Sequence, residues 1–171
     1  MTQVLQLAIA FGVGLGAAVQ VAMLAAIQRE RAPLEAGWIS ILGTAVGLAV
    51  LLAIRAGRGD GVELPSPFDR AWLFATVAVL AAAGLAVAFR SGQAYLAVAG
   101  LFGAAFIVAA ASLAPRLGVA LLLSAVTAGT LAGALTMDHL GAFGGEVQRV
   151  TVTRLVGVLV VMAGVVIVRS R

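Results

Sequence analysis

Six long apolar stretches, almost free of charge, leave a chain like this very few ways to fold. They run over Val4–Ile27, Ala36–Ile54, Ala71–Phe89, Ala94–Ala114, Leu117–Met137 and Val150–Val168. A helix rises about 1.5 Å per residue, so about 20 apolar residues cross a hydrocarbon core about 30 Å thick. Each stretch has that length, and the one charge among them is Arg154, near the start of the last. The expectation is an all-α integral membrane protein, a bundle of about six transmembrane helices forming a single domain over residues 1–171.

Composition excludes the main alternatives. Of 171 residues, 63% are hydrophobic and 11% charged, with mean hydropathy +1.14. A water-soluble domain of this size needs a polar surface that such a chain cannot supply. The spans also use up nearly the whole chain, which leaves no room for a separate catalytic domain. The net charge of +4 comes from eleven arginines against seven acids, with no lysine. These arginines sit at the ends of apolar runs rather than in a basic stripe. They therefore read as anchors to lipid head groups and not as a nucleic-acid surface. The absence of cysteine removes disulfides and thiol–metal sites. Met1-Thr2-Gln3 carries no basic side chain and the run behind it exceeds a typical signal core, so it reads as a retained first span.

The connections between runs are short. Gln28–Glu35 joins the first two, and tight turns are expected at Arg90–Gln93 and Pro115–Arg116. Such brevity predicts that consecutive spans pack antiparallel. The longest loop, Arg55–Arg70, is rich in glycine and proline, and Asp138–Arg149 carries the single histidine. Six spans place both termini on one side. Arg55, Arg58, Arg70, Arg116, Arg169 and Arg171 then face the side of the termini. Arg29, Arg31, Arg90, Arg149 and Arg154 face the other. A difference of one arginine gives almost no orienting bias.

Within the spans, small residues recur four apart: Gly12 and Gly16, Gly43 and Gly47, Gly129 and Gly133. Lipid gives helices no hydrophobic reason to associate, so faces that allow close van der Waals approach become packing candidates. The intramembrane polar set is equally small. Gln20 continues the Gly12–Gly16 stripe, Ser40 and Thr44 share a face with Gly43 and Gly47, and Ser124, Thr127 and Thr130 advance by threes. An amide in hydrocarbon must find a partner or water, so Gln20 is expected to face the bundle interior. Gln20, Ser40, Thr44, Thr127 and Thr130 are thus candidates to line a substrate path. The alternative is interhelical hydrogen bonding worth roughly 0.6 and at most about 1.7 kcal/mol each, or hydroxyls bonding back to their own helix.

No carboxylate lies at mid-membrane depth, where a proton or cation site would be looked for. The nearest are Asp138 and His139, a candidate proton-linked site at the interface because an imidazole titrates near neutrality. Adjacent helical residues do not face each other, so a head-group position with Arg149 or Arg154 as counter-charge is the alternative. One histidine and no cysteine cannot build an ordinary zinc site, so no metal or cofactor is expected. No phosphate loop with its lysine is present, and no serine has a spaced base partner. Enzyme is the weakest class.

Taken together, the residues resemble a known pattern. Gln20 through Pro33 to Ser40, Gly43 and Thr44 is similar to the first two helices of the small YdcZ-type exporters of the drug/metabolite transporter superfamily. Gly100, Gly103, Pro115-Arg116-Leu117-Gly118, Gly129 and Asp138-His139-Leu140-Gly141 resemble that family's glycine-rich helix, turn and Asp-His-Phe-Gly ending. Arg154-Leu155-Val156-Gly157 and Gly164 look like its last helix. The resemblance spans most of the chain except roughly residues 57–89, and it implies a five-helix unit plus one extra span at Ala71–Phe89. Leu24 stands where the family commonly has asparagine, and Thr130 where it has glutamine.

The resemblance implies a multi-pass protein of the bacterial inner membrane that moves a small, partly apolar metabolite by alternating access. Superfamily transporters use inverted repeats, and one short chain is expected to supply a single unit. A homodimer, with antiparallel pairing open, or a pair with a sister membrane subunit would then complete the path among membrane lipids. Two other readings stay open: a non-transporting accessory subunit, whose glycine faces are docking surfaces, and lipid handling.

Overall fold

The computed structural model describes residues 2–60, 62–89 and 94–169. It contains helices α1 (Gln3–Gln28), α2 (Pro33–Arg58), α3 (Ala71–Ala88), α4 (Ala99–Leu117), α5 (Val119–Leu140) and α6 (Val152–Arg169). Short 3₁₀ turns at Ala94–Val98 and Ala142–Gly144 complete the regular structure, with no strand among the described residues. Five helices are long and apolar enough to cross a membrane, the fourth counted from Tyr95, while the apolar part of α6, Val152–Ile167, is shorter. The all-α bundle expected from the six runs is the architecture found.

Two connections differ from expectation. Pro115 and Arg116 do not form the turn; they lie inside the last turn of α4. A proline there removes the N–H bond to the Ala111 carbonyl, and the helix ends two residues later. The reversal falls instead on Gly118, whose φ of +81° suits a residue without a side chain. Its N–H closes α4 on Ala114, and its carbonyl receives Leu122 N–H to open α5. The turn expected at Arg90–Gln93 lies outside the described residues.

The packing order also departs from the chain order. Helix α1 packs chiefly on α5 and then on α4, whereas α2 packs on α3 and α4 and touches α1 only lightly. The order across the bundle is α3, α2, α4, α1, α5, α6. The two long connections join packed neighbours, α2 with α3 and α5 with α6, whereas the short connections α1–α2 and α4–α5 join helices that touch only lightly, contrary to the expectation from their brevity. The reason is that glycine faces on α1, α2, α4 and α5 let nonconsecutive backbones approach more closely than the consecutive pairs can.

The interior is built of small side chains. Alanines 10, 18, 26, 36, 49, 99, 104, 125 and 128 are all buried, and the one large fully buried side chain among the described residues is Leu96. Two apolar clusters cap the bundle. One, at the end of the α1–α2 connection, joins Met23, Ile27, Ala36, Ile39, Leu85 and Leu96. The other, at the opposite end, joins Ala10, Leu113, Leu122, Ala125 and Val126.

The arginines do more than face head groups. Arg31 donates to the carbonyl of Ala88 at the end of α3 and lies 5.6 Å from the Phe89 ring centre. Arg29 donates to the carbonyl of Phe143. Both satisfy free carbonyls with a cation, the favourable sign at the end of α3.

Candidate functional site: a polar cluster between α1, α2 and α4

The helices bring Gln20, Ser40 and Thr44 together in the interior. Gln20 Nε2 donates to Ser40 Oγ at 3.0 Å, linking α1 to α2. Ser40 is 9% exposed and is one of two buried polar residues among the described residues. Thr44 Oγ1 lies 3.0 Å from the Ser40 carbonyl and 2.9 Å from that of Gly100 on α4. Helical spacing accounts for the arrangement: Ser40, Gly43, Thr44 and Gly47 fall on one face of α2, and α4 covers it.

Glycines on α4 make room for these polar groups. A Cβ on Gly100 would lie 2.5 Å from Thr44 N and against the Ser40 carbonyl. One on Gly103 would lie 2.7 Å from Thr44 Oγ1 and 3.2 Å from Gln20 Nε2. The site is uncharged: an amide and two hydroxyls, able to bind a neutral polar group by hydrogen bonds and suited to neither acid–base nor nucleophilic work. No grouping of three His, Asp or Glu side chains that could hold a metal exists among the described residues.

The other candidates fall elsewhere. Thr130 lies at the α1–α5 crossing, where its hydroxyl donates to Val126 of its own helix. Ser124 bonds back to Ala120 in the same way, and Thr127 is exposed. Thr127 and Thr130 are therefore separate from the Gln20 cluster. Asp138 pairs with Arg154 at 3.2 Å, both side chains nearly half exposed, and Arg154 also donates to Gln148 Oε1 at 2.7 Å. His139 is exposed. Asp138 therefore has Arg154 as its counter-charge, at the α5–α6 junction and away from the polar cluster. Leu24 joins the apolar cap beside Met23.

Among the packing glycines, Gly16 lies against Phe102, Gly43 against Gly100, Gly47 against Ala104, Gly129 against Phe11 and Gly133 against Ala18. Gly12 has open space where a Cβ would stand, so it makes no close approach within the chain. The approach on α1 belongs to Gly14, which lies against Val126, Gly129 and Thr130. Gly14 could have been found by noting that it lies on the same face as Ala10 and Ala18. Gln6, buried in the first turns of α1, is a second polar residue that span-end position conceals.

Spanning helices packed through glycine, with an uncharged polar cluster inside, define a multi-pass membrane protein. The family model described as "Putative inner membrane exporter, YdcZ" matches residues 5–167. The chain belongs to this inner-membrane exporter family. The matched range runs through residues 57–89, so helix α3 lies within the family's span. No curated protein and no solved structure matches the chain.

Proposed function

We propose that the protein exports a small, partly apolar metabolite by alternating access, with Gln20, Ser40 and Thr44 lining its path. The observation that carries this reading is the Gln20–Ser40 hydrogen bond, set between three helices and flanked by Gly100 and Gly103. An interior that needed only strength would place apolar residues there, since one such bond contributes roughly 0.6 kcal/mol. A polar group of a mostly apolar solute could replace either partner of that bond, while alanine-rich walls accept the rest. Thr130 belongs to the path only if the α1–α5 crossing opens to it.

Gln20→Leu is expected to abolish movement of substrate in proteoliposomes screened with a metabolite panel, with only a slight change in thermal stability. Full transport by this variant would overturn the path assignment. The reading includes a homodimer, antiparallel or not, or a pair with a sister subunit. Mass measurement in mild detergent and in lipid checks the pairing, and a protein found only as monomers would overturn it.

The second reading, an accessory subunit that does not transport, is favoured by one observation. Thr130, at the position where the family commonly has glutamine, turns its hydroxyl back onto its own helix. Copurification of a larger complex from native membrane, with no transport by the chain alone, would support it.

A further inference from the structure

The two close crossings of the bundle are copies of each other. Gly14 and Gly100, Gly43 and Gly129, Thr44 and Thr130, and Gly47 and Gly133 are all 86 positions apart. Their surroundings obey the same spacing. Gly100 lies against Ser40, Gly43 and Thr44, while Gly14 lies against their counterparts Val126, Gly129 and Thr130. Gly43 meets the carbonyl of Ala97, and Gly129 that of its counterpart Phe11. Gly47 meets Ala104, and Gly133 meets Ala18.

The apolar caps repeat as well. Ile27, Ala36, Ile39 and Leu96 of one cap correspond to Leu113, Leu122, Ala125 and Ala10 of the other. The contact pattern follows: α2 against α4 matches α5 against α1, and α2 against α3 matches α5 against α6. Three helices per half make α4 run opposite to α1, so the relation is inverted.

We infer that this one chain contains both halves of an inverted repeat, α1–α3 and α4–α6, whose two apolar caps open in turn at opposite membrane faces. The alternate opening rests on the export reading; the repeat itself rests on the packing alone. A second copy is then not needed to complete the path, and a dimer would join two complete units. The halves match in packing but not in polar bonding. The counterparts of Gln20 and Ser40 are Phe106 and Val126, and Thr130 bonds only within α5, whereas Thr44 reaches Gly100. The end capped by Ile39 therefore carries polar ties that the end capped by Ala125 lacks, and it opens less often.

The natural absence of cysteine makes the test direct. Full-length Ile39→Cys and Ala125→Cys are reconstituted in phosphatidylethanolamine–phosphatidylglycerol vesicles and treated with a charged methanethiosulfonate reaching both faces. Both cysteines are expected to react, more slowly than Asp60→Cys in a loop, with Ala125→Cys about threefold faster than Ile39→Cys. Adding Ser40→Ala is expected to raise the rate at position 39 and lower it at position 125. Where either cysteine variant fails to fold, the equivalent pair Ala36→Cys and Leu122→Cys replaces it. Reaction at one cap only, reaction at neither, or a change of the same sign at both would overturn the inference. Opposite changes in vesicles that transport nothing from the metabolite panel would sustain the repeat and sink export alone.

Discussion

At the residue scale, two polar pairs with similar geometry have different settings. Gln20–Ser40 is interior and linked to Thr44, whereas Asp138–Arg154 is nearly half exposed on both sides. Exposed ion pairs contribute about 0–1 kcal/mol because water and salt screen them. Asp138→Asn is accordingly expected to shift stability by less than about 1 kcal/mol and to leave transport intact, checked by thermal unfolding and proteoliposome flux on the same preparation. A large loss of flux from Asp138→Asn would return the interface site to the mechanism. The sequence identified every member of the interior cluster, because polar side chains stand out in apolar spans. It did not reveal which of them meet, since that depends on how three helices are placed.

At the element scale, what matters is which glycine touches a backbone. Gly129 abuts the Phe11 carbonyl and Gly14 abuts that of Val126, whereas Gly12 faces open space. Gly14→Leu and Gly129→Leu are therefore expected to destabilise the α1–α5 crossing by about 3 kcal/mol or more, as overpacking against backbone that cannot yield. Gly12→Leu is expected to leave folding unchanged. Thermal unfolding in mild detergent distinguishes them; equal losses from all three would contradict the crossing described. Four-residue spacing picks out Gly43, Gly47, Gly129 and Gly133, each of which lies against a neighbouring helix, and on α1 it picks Gly12 and Gly16, whereas the backbone contact there is made by Gly14. Spacing gives a face only up to rotation of the helix, and the partner fixes that rotation. The α4–α5 reversal shows the same limit: Pro115 attracts a turn assignment, yet the positive φ at Gly118 makes the turn.

At the scale of the whole molecule, the exposed apolar side chains describe a lipid-facing surface. Trp38, Trp72, Val79, Leu80, Val160 and Ile167 are all more than half exposed, and most belong to α3 and α6, the outermost helices. With three helices, α3, α4 and α5, between them, Asp60→Cys and Gly145→Cys are expected to label from opposite membrane faces in a uniformly oriented preparation. Labelling of both from one face would remove a span. The arginine balance sets no orientation, and two of the arginines counted in it, Arg29 and Arg31, are engaged by carbonyls at helix ends.

The sequence by itself determined the solvent and the number of helices, and it marked Gln20, Ser40 and Thr44 as polar residues inside apolar spans, while missing Gln6. These follow from hydropathy summed along single segments, which needs no knowledge of neighbours. The tertiary structure decided the packing order, the placement of Gln20 against Ser40, and the correspondence of the two crossings. Those depend on which helix faces meet, and in lipid that choice is made by van der Waals fit between small residues distant in the chain. The constant spacing of Gly14, Gly43 and Gly47 from their counterparts was present in the sequence throughout. It acquired meaning only when the paired glycines were found to lie against paired neighbours.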